Sequence, residues 1–293
     1  MKDAARLLAY FAVTLLIGAL LAPVLFWSAQ WLAAPNILPF LAGYDFEKFF
    51  HRALLVAAIV LLWPLLRTLH IKRWSEFGLA PNCHYARDVF VGFLLATIPL
   101  LCCAVILLLT QGYSIRNSIR WSATSSVVIA SLFVPLIEEL FFRGLILGIL
   151  LRSASRISAI VLTSALFAIL HFLKAPEETG ATVTWMSGFV SVAHSFDQFR
   201  EPFFVLAGFT TLFLLGCILA DARIRTRSLW LPFGLHSGWI FAAGFFNILA
   251  RRAHIGAPWI GKSLLIGIVP LSVGLLTWLL VRAWLNHVAS RAT

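Results

Sequence analysis

Two adjacent carboxylates and an arginine stand inside one apolar run, Pro135-Leu136-Ile137-Glu138-Glu139-Leu140-Phe141-Phe142-Arg143-Gly144. A charge at the centre of a membrane helix costs about 2.5–3.5 kcal/mol even on lenient insertion scales. Such groups persist where they face a protein interior and have partners. Glu139 and Arg143 are four apart, share a helical face and suit an ion pair. Glu138 is turned about 100° from Glu139 and is left for another task. A buried ion pair that locks two helices together accounts for Glu139 and Arg143 but not for the second acid.

Histidine supplies the rest of a candidate centre. One apolar segment ends Phe167-Ala168-Ile169-Leu170-His171, and another opens Leu229-Trp230-Leu231-Pro232-Phe233-Gly234-Leu235-His236. A lone histidine in an apolar helix is more often a satisfied core residue than a catalyst. Two histidines and a glutamate from three separate segments point instead to hydrolysis. Glu138, helped by His171, would deprotonate a water for attack on a carbonyl, and His236 would stabilise the oxyanion. In the alternative, Glu138, His171 and His236 hold zinc and its bound water attacks. The short i, i+4 histidine pair of a zinc-protease helix is missing, so the reading without metal or other cofactor is preferred and zinc stays open.

The elements that must position these groups are membrane spans. Of 293 residues 61% are hydrophobic and 12% charged, about half the charge of a soluble domain. Eight apolar runs, at about 5–33, 51–70, 88–110, 124–151, 156–174, 202–222, 229–250 and 263–288, are each of a length that suits a hydrocarbon core of about 30 Å. The expectation is an all-α integral membrane protein, a bundle of about eight transmembrane helices with an intramembrane polar cavity. The first run is too long for a signal peptide and reads as a retained helix. The short turn at 152–156 makes spans four and five an antiparallel hairpin. At 1.5 Å per residue, Glu138 and His171 then lie roughly 20 and 22 Å from that turn, which is level. His236 reaches the same depth only if 229–235 enter extended, as Pro232 and Gly234 suggest.

Charge and the remaining segments narrow the class. The net charge of +11 comes from Lys and Arg scattered between spans, which suits topology and headgroup contacts better than nucleic acid. With the N-terminus cytoplasmic, 13 of them fall inside and 9 outside, Arg143 being the remaining one of 23. A bacterial inner membrane is the expected location. Cys83, Cys102, Cys103 and Cys217 have no metal-ligand spacing and read as free thiols. In the long connection at 175–201, Trp185, Phe189, Val192, Phe196 and Phe199 fall at helical spacing on one face. That suits an interfacial helix beside a substrate entrance, or a helix that caps the bundle.

Taken in order, Glu138-Glu139-x-x-x-Arg143, Phe167-x-x-x-His171 and a Leu-Trp-x-Pro run ending in His236 resemble the motifs of the CPBP family, the CAAX prenyl proteases and bacteriocin-processing (Abi) enzymes. The resemblance covers roughly 124–250, between N-terminal helices in 1–123 and a C-terminal helix in 251–293, all one integral membrane domain. It implies an intramembrane endopeptidase with Glu138 catalytic, Glu139 and Arg143 supporting it, and His171 and His236 in the active site. Phe167 belongs to the same motifs. The pattern departs at Ile240, where the family usually has Asn or Asp, and Asn247 is the candidate substitute. The substrate would be a membrane-associated protein or peptide. A rival class is a non-enzymatic membrane protein, either an inactive homologue that binds peptides or a proton-coupled transporter. The inverted repeats common in transporters are not evident.

Overall fold

The computed structural model describes residues 2–35, 37–70, 78–79, 82–173, 182–256, 259–260 and 264–290. Of the charges counted for topology, Lys72, Arg73, Lys174, Lys262 and Arg291 lie outside the described residues. Among the described residues six helices are long and apolar enough to cross a membrane. The protein is all-α and multi-pass, and among the described residues the one sheet is a two-stranded ribbon.

The chain divides into two compact units, residues 1–72 with 171–201, and residues 73–170 with 202–293. The first is built on α1 (Lys2–Ala33) and α2 (Phe46–Thr68). Small side chains at Ala19, Ala22, Ala53 and Ala57 are buried between tightly packed helices. The Tyr10 hydroxyl donates to the Ala58 carbonyl at 2.9 Å.

The second unit contains α3 (Tyr85–Leu109), α4 (Ala123–Glu139), a π-helical turn at Leu140–Ile146, and α5 (Leu147–Leu150). After these come α6 (Arg156–Leu170), α8 (Pro202–Thr226), α9 (Trp230–Leu249) and α10 (Ile268–Ser290). Strands β1 (Tyr113–Ile115) and β2 (Ala250–Arg252) pair antiparallel, with Ser114 opposite Arg251. Each of the eight expected spans contains a helix, but α6 has only 15 residues and α9 carries His236 and Ser237 within it.

Helix α9 overturns the expected extended entry. It is helical from Trp230, and Phe233 N–H already donates to the Leu229 carbonyl at 2.9 Å. Pro232 is the third residue of the helix, where the missing N–H has no intrahelical partner to lose. Gly234 and Gly238 are needed for packing: a Cβ at either would run into the α3 backbone at Val89 or Phe93. The gain is the close α3–α9 seam, at whose centre Trp239 is 2% exposed. Thr97 also donates across it to the Gly238 carbonyl at 3.2 Å.

The connection at 175–201 also differs from expectation. Residues 174–181 lie outside the described residues, and helix α7 is confined to Ser187–His194 in the first unit. Gly188, Ser191 and Ser195 form its buried side, Gly188 resting on the α1 backbone at Ala19. Trp185 and Phe196 of the aromatic set lie outside this helix and are exposed at 59% and 52%. Small residues permit the closer approach between helices, so they take the inner face.

Candidate active site

The acids lie where α4 passes into the π turn. Glu139 ends α4 and is 1% exposed at its side chain, while Arg143, within the π turn, is fully buried. Arg143 Nη1 donates to Glu139 Oε1 at 2.9 Å, and Arg143 Nη2 reaches the Gly216 carbonyl of α8 at 3.4 Å. The guanidinium lies 4.3 Å from the Phe167 ring centre and 5.7 Å from that of Phe142, both acceptable faces for a desolvated cation. Gly216 makes room for this packing, since a Cβ there would meet Ser164 of α6. Phe142 and Gly216 carry no sequence signal for this role, which only the tertiary packing gives them.

His236 joins the same carboxylate from α9. Its Nδ1 lies 2.8 Å from Glu139 Oε1, and its ring meets Phe167 edge to face at 5.9 Å. Glu139 already accepts from Arg143, so the Nδ1–H of His236 donates to it. In the neutral ring this leaves Nε2 with a lone pair, and Nε2 lies 3.8 Å from Glu138 Oε2. Glu138 is the accessible acid, with 25% of its side chain exposed against 8% for His236. The four groups form a line: Arg143, Glu139, His236, Glu138. The contact also shows that the helix ends are staggered. Glu139 lies about 16 Å along the chain from the end of α5, and His236 about 9 Å from the start of α9.

Glu138, Glu139, Arg143, Phe167 and His236 are therefore brought together. His171 is the first residue beyond α6, four after Phe167, exposed in a turn that goes with the first unit. Asn247 is not part of the cluster. It is exposed near the end of α9, about 16 Å of helix rise beyond His236, and its carbonyl accepts from Arg116. Ile240 is only partly buried and offers no polar atom. A narrow cleft beside the acids is lined by Leu79, Leu136, Leu140, Leu229, Trp230 and Phe233, with Glu139 its single charged member.

With Nδ1 of His236 engaged by Glu139, the donors that the second unit itself would offer a zinc ion are His236 Nε2 and Glu138 Oε2, 3.8 Å apart, whereas a catalytic zinc takes three protein ligands. Among the described residues no group of three or more His, Cys, Asp or Glu is arranged to hold a metal ion.

Residues 120–242 match the family model of the Rce1-like type II CAAX prenyl endopeptidases. No curated protein and no solved structure matches the chain. The matched segment begins just before α4 and reaches past His236, so it contains every member of the cluster.

Proposed function

From the CPBP-family, CAAX-type intramembrane endopeptidase that the match at 120–242 supports, we propose that this chain cleaves its substrate with a water activated by Glu138. The observation that carries the reading is the 3.8 Å separation between Glu138 Oε2 and His236 Nε2. It is too long for a direct hydrogen bond and suits a water that donates to both. Glu138 takes one proton as the water oxygen attacks the scissile carbonyl, and later returns it to the leaving amine. Glu139 holds the His236 ring in the tautomer that keeps Nε2 free to accept, and Arg143 holds the Glu139 carboxylate in place.

This changes the part given to His236. With Nδ1–H directed to Glu139, a neutral His236 has no second N–H for an oxyanion, and it serves to orient the water. The family resemblance implies an active-site role for His171 as well. The substrate is a protein or peptide held at the bilayer. The Arg156 end of the second unit, where α3 and α9 begin and α8 and α10 end, faces the cytoplasm.

The test is cleavage of a prenylated C-terminal peptide by purified protein in detergent, with Glu138→Gln as comparison. Turnover by the parent and none above background by a monodisperse Glu138→Gln protein supports the reading. Equal turnover by both would sink it. No turnover of prenylated or unprenylated membrane peptides by the parent favours the inactive-homologue alternative.

A further inference from the structure

A second polar cluster lies near the Arg156 end of the second unit, centred on Asp221, five residues along α8 from Gly216. Asp221 of α8 is buried, its side chain 8% exposed. Three arginines converge on it from three helices. Arg156 Nη2 of α6 donates at 3.2 Å, Arg225 Nε of α8 at 3.1 Å, and Arg282 Nε of α10 lies 3.2 Å away. The Trp278 indole N–H adds a longer contact at 3.4 Å, and the Arg282 guanidinium lies over the Trp278 ring at 4.9 Å.

A staple between helices needs one arginine per carboxylate, and here there are three. The cluster keeps a formal charge of +2, and its arginine side chains are 50%, 32% and 44% exposed for Arg156, Arg225 and Arg282. Arg225 and Arg282 use only Nε on Asp221, so their paired Nη groups remain as donors. The other acid at this end among the described residues, Asp88, is engaged by Arg87 and Asn82. Leu275 and Leu279 lie seven and three residues before Arg282, on its own face of α10, exposed at 46% and 67%. An apolar stripe thus runs along the membrane span up to a fixed, surplus positive charge.

We infer that Asp221 organises Arg156, Arg225 and Arg282 into a binding site for a phosphate-bearing anion, and the apolar stripe points to the headgroup of an anionic phospholipid. Guanidinium forks match phosphate oxygens in charge and geometry. Asp221 holds the arginines in place and leaves their outer donors unused.

The experiment is native mass spectrometry of the full-length protein in detergent, titrated with phosphatidylglycerol, phosphatidylcholine or inorganic phosphate. The parent should retain one phosphatidylglycerol about tenfold more strongly than phosphatidylcholine, as charge-assisted hydrogen bonds suggest. Arg156→Gln with Arg282→Gln should remove that preference, while Arg251→Gln at the opposite end of the unit leaves it intact. Asp221→Asn separates a built site from plain attraction. It adds one positive charge yet frees the arginines, so the site loses affinity, whereas simple attraction would strengthen. Competition by millimolar inorganic phosphate would keep the anion site and assign it a soluble ligand. Equal retention of both lipids by the parent, no change in the double variant, or stronger binding by Asp221→Asn would overturn the proposal. Thermal unfolding of each variant keeps loss of fold distinct from loss of binding.

Discussion

At the scale of single residues, the two acids have separate duties because they have separate surroundings. Glu139 is sealed between Arg143 and His236, while Glu138 keeps a quarter of its side chain exposed. Replacing Arg143 with Ala strands a buried carboxylate, and breaking a buried pair in this way costs about 3–5 kcal/mol. The expected outcome is a lower melting temperature and poor yield in detergent, measured by tryptophan fluorescence on heating. Glu138→Gln should leave that melting curve within error of the parent, since the near-isosteric amide sits at a partly open position. A matching collapse of both variants would mean that Glu138 is structural. The route of the proton gives a further prediction. His236→Ala should lower turnover by about 10²–10³, in the range of a lost acid–base or positioning group. The parent should keep its activity in excess chelator and purify with far less than one zinc per chain. Stoichiometric zinc by elemental analysis, with activity lost on chelation and restored by zinc, would overturn the metal-free mechanism.

At the scale of elements, the sequence displays some features and hides others for physical reasons. The spans are legible because lipid permits few polar residues over about 20 positions. The Glu139–Arg143 pair is legible because a spacing of four fixes a shared helical face. Which acid His236 meets is not legible, since spacing within one chain says nothing of how two helices rotate against each other. Pro232, Gly234 and Gly238 argue locally against a helix, yet α3 packing reverses that propensity once the glycines admit its backbone. The π turn at Leu140–Ile146 has no sequence signature, although such turns gather at functional sites. The α3–α9 seam is what keeps His236 at the depth of the acids. Gly238→Leu should therefore force the helices apart, lowering both melting temperature and turnover, while Gly256→Ala, which meets no neighbour, should change neither. Normal activity in Gly238→Leu would show that the seam does not position His236.

At the scale of the whole molecule, the family match crosses the boundary between the units. Residues 120–170 and 202–242 of the matched segment fall in one unit, and 171–201 in the other. Orientation in the membrane is testable on the native thiols. Cys83 is exposed just before α3, at the Arg156 end, whereas Cys102 is exposed within the apolar span itself. With that end cytoplasmic, a membrane-impermeant maleimide should label Cys83 only after the cells are opened, and should spare Cys102 throughout. Labelling of Cys83 in intact cells would invert the topology.

The shortness of α6 has a consequence for the lipid around it. Its 15 residues rise about 22 Å, against a hydrocarbon thickness of about 30 Å. Ile157, Val161, Leu162 and Ile169 are exposed along it, an apolar side that suits acyl chains. A bilayer meeting a helix this short must dimple, at a cost of a fraction of a kcal/mol per Å. The dimple would bring headgroups and water several ångströms nearer to the level of the acids, so membrane thickness becomes a kinetic variable. Reconstituted in phosphatidylcholines of increasing chain length, the protein should cleave fastest in the thinnest bilayer that keeps it folded, and its rate should decline steadily as the chains lengthen.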